Sequence, residues 1–168
     1  MNNIYLIGFM GAGKTAVAKT LEEMTAKERY DTDDMITERE KTSISKIFET
    51  KGEAYFRSVE KEVVASLTKK ERVIVSCGGG VIKSKENLEE LKRGGTVVFL
   101  NASPKTVLDR VLKNHRRPLL EGKKNLSDIS KMMEERMPLY EEAYDLKVDV
   151  DGKSLKKIAN EILKEIDF

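Results

Sequence analysis

Gly8-Phe-Met-Gly-Ala-Gly-Lys14-Thr15 matches G-x-x-x-x-G-K-[ST] at every constrained position. Nothing else in the chain constrains the fold as much, because such a loop works only between a buried strand and a helix. Its glycines let backbone N–H groups turn inward on an anion, and the helix that follows adds the positive end of its dipole. Both neighbours are present. Asn3-Ile-Tyr-Leu-Ile-Gly8 reads as a buried strand ending at a glycine, and Lys14–Thr25 reads as a helix with Val17, Leu21 and Met24 on one face. The loop residues Gly11, Ala12, Gly13, Lys14, Thr15 and Ala16 are therefore expected to hold nucleotide phosphates. Lys14 suits the β- and γ-phosphate oxygens, and the Thr15 hydroxyl suits Mg²⁺.

The rest of the chain alternates β-branched runs with amphipathic stretches. Strands are expected at Arg29–Thr32, Arg72–Cys77, Thr96–Leu100 and Leu146–Val150. Helices are expected over Asp33–Glu40, Ser43–Lys51, Glu53–Leu67 and Ser84–Lys92, with Gly52 closing the second of these and Gly94-Gly95 stopping the last. Another starts at the Ser103 cap and Pro104, with Val107, Leu108, Val111 and Leu112 on one face. A long helix over Ser127–Tyr144 is expected to be interrupted at Pro138, and Ser154–Ile166 closes the chain. Residues 113–124 read as a long polar surface loop. Five strands each followed by helix predict an α/β fold with a mostly parallel sheet, in one domain spanning 1–168. Ligands of such sheets sit beyond the carboxyl ends of the strands.

Several classes are excluded on composition. One cysteine, Cys77, makes no internal bridge and points to a reducing compartment. One Cys and one His do not make a zinc site. No apolar run approaches the roughly 20 residues of a bilayer span, and Met1–Met10 lacks the marks of a signal peptide, so a cytoplasmic chain is expected. Lys plus Arg is 31 against 29 for Asp plus Glu, a balance unlike that of a dedicated nucleic-acid binder. A GTPase is excluded because no Asn-Lys-x-Asp motif occurs; the D-x-x-G string Asp149–Gly152 reads as the turn after the last strand. Size and elimination leave a small-molecule kinase.

Phosphoryl transfer needs a group for the acceptor's proton and cations for the equatorial oxygens. Asp31-Thr-Asp33-Asp34 ends the second strand. Alternation along an extended stretch lets Asp31 and Asp33 converge, one in the Mg²⁺ shell and the other on an acceptor hydroxyl. Asp34 is expected to cap the helix near Met35. Arg57, oriented by Glu60 beside a pocket wall at Phe56, and Arg136 have the guanidinium forks that suit a carboxylate. Gly78-Gly79-Gly80 lets a ligand approach backbone N–H groups closely. Arg116 and Arg117 lie in the basic loop that can close over the phosphoryl group, and Arg110 can stack on adenine. Cys77 reads as a small core residue and His115 as a solvated one.

Taken in order, several segments resemble shikimate kinases over nearly the whole chain. They are Gly8–Thr15, Asp31-Thr32-Asp33, Ser43-Ile44 with Ile47-Phe48, Gly52-Glu53 with Phe56-Arg57 and Glu60, Ser76–Gly80, Arg117–Leu120 and Arg136–Tyr140. The resemblance implies phosphorylation of the 3-hydroxyl of shikimate by ATP with Mg²⁺, on the way to chorismate and the aromatic amino acids. It implies a three-layer sandwich with strand order 2-3-1-4-5, a lid at about 112–124 and a shikimate-binding subregion at about 31–60. It places Lys14, Asp33 and Arg117 in catalysis, and Arg110 and Arg117 with the phosphate loop on ATP. Asp33, Arg57, Gly78, Gly79, Gly80 and Arg136 fall to shikimate, and Thr15 and Asp31 to Mg²⁺. Shikimate and ATP are the expected partners of a monomer, with no nucleic acid and no membrane. Two departures stand out: Glu28-Arg29 makes the second strand polar where relatives are apolar, and Lys41 stands where glycine is common. The rival readings are a gluconate kinase-like enzyme, a nucleoside monophosphate kinase and a catalytically silent nucleotide-binding module.

Overall fold

The computed structural model describes residues 2–113 and 125–168. A five-stranded sheet has the order β2-β3-β1-β4-β5, with every pairing parallel. The strands are β1 (Asn3–Ile7), β2 (Arg29–Asp31), β3 (Ile74–Ser76), β4 (Gly95–Asn101) and β5 (Leu146–Asp149). The helices among the described residues are α1 (Lys14–Thr25), α2 (Thr32–Glu40), α3 (Ile44–Leu67), α4 (Lys85–Gly94), α5 (Pro104–Lys113), α6 (Leu126–Ala143) and α7 (Leu155–Glu165), with a 3₁₀ turn at Val81–Lys83. None of these helices is long and apolar enough to cross a membrane.

Strand β1 is central and all five of its residues are buried. Successive side chains point to opposite faces of the sheet, so β1 feeds two cores. Ile4 and Leu6 pack with Val17, Ala18 and Leu21 of α1 and with Ile158, Ala159 and Ile162 of α7. Tyr5 and Ile7 pack with Val63, Val64 and Leu67 of α3, Leu91 of α4 and Tyr140 of α6. Helices on both faces make the three-layer sandwich, and the phosphate loop leaves its middle strand.

The polarity of the second strand now has a cause. β2 is an edge strand and its three residues are only half-buried. Arg29 pairs with Glu22 of α1 at 3.1 Å, and the Tyr30 hydroxyl donates to Glu28 at 2.6 Å, so polar groups cover this edge.

Two local expectations change, at Pro138 and at Met24 with Leu112, and two hold. The stretch 44–67 forms two helical arms that meet in a bend at Gly52, whose φ of 84° and ψ of 170° are non-helical, so the expected break is there. Pro138 does not interrupt α6. It and Glu134, whose carbonyl loses its partner, both lie exposed where water can replace the bond. Gly94 ends α4 and Gly95 caps it, its N–H donating to the Leu91 carbonyl, as expected; Gly95 also opens β4, where a Cβ would strike the backbone of Asn3. Met24 and Leu112 lie exposed, each beyond the part of its helix that the core covers.

Lys41 caps α2 in the left-handed region at φ 54°, where a Cβ is strained. Lys41→Gly is expected to stabilise the chain by about 1 kcal/mol, a rise in Tm of roughly 2–4 °C. A thermal melt checks this, and an unchanged or lower Tm would mean that the lysine side chain offsets its strain.

Candidate active site

The phosphate loop is shaped by two glycines in the left-handed region, Gly11 (φ 80°) and Gly13 (φ 96°). Lys14 opens α1 and folds back across the loop. Its ammonium donates to the Gly8 carbonyl at 2.7 Å and to that of Phe9 at 3.2 Å, and the residue is 8% exposed. Not every loop N–H faces inward, as the sequence suggested. The Ala12 N–H donates to the Phe9 carbonyl at 3.0 Å, so it closes the turn. Arg110, reaching over from α5, donates to the Gly11 carbonyl at 3.0 Å. A cavity of about 210 Å³ is lined by Gly11, Gly13, Lys14, Thr15, Ala16, Arg110 and Val111. The concavity, the ammonium and the helix N-terminus together suit a polyphosphate.

Thr15 and Asp31 meet where α1 starts and β2 ends. The Thr15 hydroxyl donates to Asp31 Oδ2 at 3.1 Å, and Ser76 Oγ lies 3.5 Å from it. The other Asp31 oxygen caps α2 by accepting from the N–H groups of Asp33 at 2.9 Å and Asp34 at 3.3 Å. Asp31, not Asp34, is therefore the helix cap. Asp34 sits three positions past the cap, inside the first turn. The carboxyl of Asp34 is raised above its usual range by burial and by Asp31. The route by which Asp31 and Asp33 approach each other also differs from expectation. The strand stops at Asp31, and Asp33 is carried inward by the first turn of α2.

Across the carboxyl edge of the sheet, β3 runs into Gly78-Gly79-Gly80. Each of these glycines is backed by a different charged side chain, Gly78 also by Glu60, whose Oε2 would lie 3.4 Å from a methyl there. A methyl on Gly78 would lie 2.6 Å from Asp33 Oδ1, one on Gly80 would overlap the Arg57 guanidinium, and one on Gly79 would lie 3.7 Å from Arg136 Nη1. Helices α2, α3 and α6 thus deliver Asp33, Arg57 and Arg136 to a single loop. The Gly78 N–H is not turned to a ligand; it donates to Thr32 Oγ1 at 2.8 Å. Gly78 contributes room for Asp33 instead.

Arg57 is oriented as expected. It donates to Glu60 at 2.8 Å and lies over the Phe56 ring at 5.1 Å. Phe56 is buried and packs on Phe48 with ring centres 4.9 Å apart. Arg136 lies over the Phe9 ring at 5.2 Å. Burial raises the Glu60 carboxyl above its usual range; Arg57 opposes this and Asp33 adds to it. Cys77 is buried, and that burial pushes its thiol far up, so it is the inert core residue expected. Arg116, Arg117, His115 and almost all of the expected lid lie outside the described residues.

Thr32 and Phe9 were not singled out from the sequence. Thr32 was legible only as the middle of Asp31-Thr-Asp33, and nothing local says that its hydroxyl is fully buried. Thr32→Val keeps the shape and removes the acceptor of the Gly78 N–H. Unfolding in urea is expected to show a loss of about 1–3 kcal/mol, the cost of a buried unsatisfied donor. A loss under half that would place water at the site.

A phosphate loop on a central parallel strand, facing a carboxylate and two arginines, defines a phosphate-loop kinase fold with a small-acceptor pocket. Known proteins agree. A sequence model of the family described as shikimate kinase matches residues 10–167. The chain is 40% identical over 166 residues to a shikimate kinase of Persephonella marina (strain DSM 14350 / EX-H1), covering 99% of each chain. It is 39% identical over 167 residues to one of Bacillus cereus (strain G9842), again over 99% of each. Among solved structures, the shikimate kinase from Acinetobacter baumannii in complex with shikimate superposes with a TM-score of 0.92 at 34% identity, over 98% of this chain and 92% of that one. The chain belongs to the shikimate kinase family, which makes it an ATP-dependent kinase. A gluconokinase from Sinorhizobium meliloti shares the fold alone, at 16% identity and a TM-score of 0.58.

Proposed function

We propose that the chain transfers the γ-phosphoryl group of ATP to the 3-hydroxyl of shikimate, giving shikimate 3-phosphate and ADP. The observation that carries this reading is the set of three glycines, each backed by Asp33, Arg136 or Arg57. Two guanidinium forks and one carboxylate around bare backbone suit a small hydroxylated acid.

In this reading Arg57 and Arg136 hold the acceptor carboxylate. Asp33 accepts or orients the proton of the attacking hydroxyl. As the new P–O bond forms and the bond to the β-phosphate oxygen breaks, Lys14 and Arg117 neutralise the charge on the phosphoryl oxygens. Arg110 stacks on the adenine. Thr15 and Asp31 would hold Mg²⁺; their hydroxyl and carboxylate, with Ser76 nearby, form the all-oxygen donor set that this hard ion prefers. Bound there, the ion would supply positive charge to the phosphates. The chain works as a cytoplasmic monomer on small molecules, with no nucleic acid and no membrane.

The test offers Mg²⁺-ATP with shikimate, gluconate or AMP separately and measures ADP release. ADP formed with shikimate alone is expected. Tight ATP binding without shikimate-dependent ADP would overturn the reading in favour of a silent module, and turnover of gluconate would move the substrate.

A further inference from the structure

The acceptor residues ride on two helices joined end to end. Asp33 lies in the first turn of α2, and Arg57 and Glu60 lie beyond the bend of α3. Their relative placing depends on the angle at Gly52. That glycine offers no restraint of its own, since nothing lies within 4 Å of where its Cβ would stand. Other contacts must hold the bend.

The Phe48–Phe56 ring pair spans it with centres 4.9 Å apart, and Glu40, at the carboxyl end of α2, adds a polar contact that also ties in α2. The Glu40 Oε2 accepts from Lys51, the last residue before the bend, at 3.0 Å. The same oxygen accepts from the Tyr55 hydroxyl, one turn past the bend, at 2.9 Å. Lys51 also reaches that hydroxyl at 3.3 Å and lies over the ring at 4.4 Å. One oxygen atom thus joins α2 to both arms of α3. The Glu40 side chain is 9% exposed, although it sits among surface charges. Lys51 and then Tyr55 hold its carboxyl below the usual range by hydrogen bonding, so the charged form is the one that binds them. The neighbouring Arg39–Glu62 pair links α2 to the second arm only, and both of its side chains are exposed.

Both ends of this contact lead to the site. Glu40 is two turns from Asp33 along the same helix face, and Tyr55 precedes Arg57 by two residues. We propose that Glu40, Lys51 and Tyr55 form a bracket across the Gly52 bend that positions Arg57 against Asp33 for the acceptor. The bracket rests on the acceptor reading given above. Its members are positioning residues that act through Arg57.

The experiment uses the full chain with Glu40→Gln, Tyr55→Phe, Lys51→Met and Lys51→Arg, measuring kcat, both KM values and Tm. Tyr55→Phe keeps the ring and removes only the O–H, so its folding is not in question. Glu40→Gln and Lys51→Met are expected to raise the KM for shikimate about fivefold, and Tyr55→Phe about twofold, with the KM for ATP unchanged. Lys51→Arg, which keeps the charge, is expected to retain the wild-type value. An unchanged shikimate KM in Glu40→Gln and Tyr55→Phe, even with a lowered Tm, would make the contact purely structural and overturn the proposal. A wild-type chain that does not turn over shikimate at all would instead overturn the acceptor reading, and the bracket's role with it.

Discussion

Asp33→Asn is expected to lower kcat about 100-fold or more, with the KM for ATP unchanged. The substitution is isosteric, so the carboxamide still fills the space above Gly78, where Asp33 Oδ1 approaches the bare backbone. What it removes is the negative charge and the capacity to accept the acceptor's proton. The phosphate loop keeps the contacts of Lys14, Thr15 and Arg110 to Gly8, Asp31 and Gly11. Steady-state kinetics with each substrate varied checks this. Turnover near that of the wild type would remove Asp33 from the proton's path and leave it a packing role.

Arg57→Ala is expected to act twice. Loss of a charged hydrogen bond to the carboxylate should weaken shikimate binding by about 1.5–3 kcal/mol, roughly 10- to 150-fold in Kd. Glu60 is then left almost fully buried without its guanidinium. Burial already raises its carboxyl, and Arg57 is the first influence opposing that. The folded chain therefore takes up a proton at Glu60 more readily than the unfolded chain does. Glu60's contribution to stability is greatest below its unfolded value of about 4.5 and falls as pH rises through the raised folded value. Removing Arg57 deepens that fall, so the variant should lose more stability relative to the wild type at pH 8 than at pH 5. Adding Glu60→Gln should restore part of the stability and none of the affinity. Calorimetry for binding and denaturation at both pH values separate the two effects. An unchanged Kd for shikimate would sink the carboxylate clamp.

Much of this site could be read along the chain, and the part that could not has a common character. Phosphate loop, alternating strands and the Arg57–Glu60 pair are short-range patterns, separated by one helical turn or less. Asp31 was legible as an acidic residue near the loop but not as the cap of α2, because capping depends on where the strand stops. Glu28-Arg29 looked anomalous until the strand order put β2 at the edge of the sheet, where polar groups face water. The glycine run was legible as open backbone. That Asp33, Arg136 and Arg57 each fill the space beside one glycine was not legible.

By itself, the sequence determined the elements and the chemistry of the phosphate loop. Those depend on backbone dihedrals and side-chain periodicity over a few residues, as at Gly11 and Gly13, whose left-handed conformations suit no other residue so well. Only the tertiary structure decided the acceptor pocket. Asp33 and Arg57 come from consecutive helices and Arg136 from a third far along the chain. They meet because one core packs α2, α3 and the carboxyl half of α6 together on one face of the parallel sheet, a long-range outcome in which no local pattern has a part.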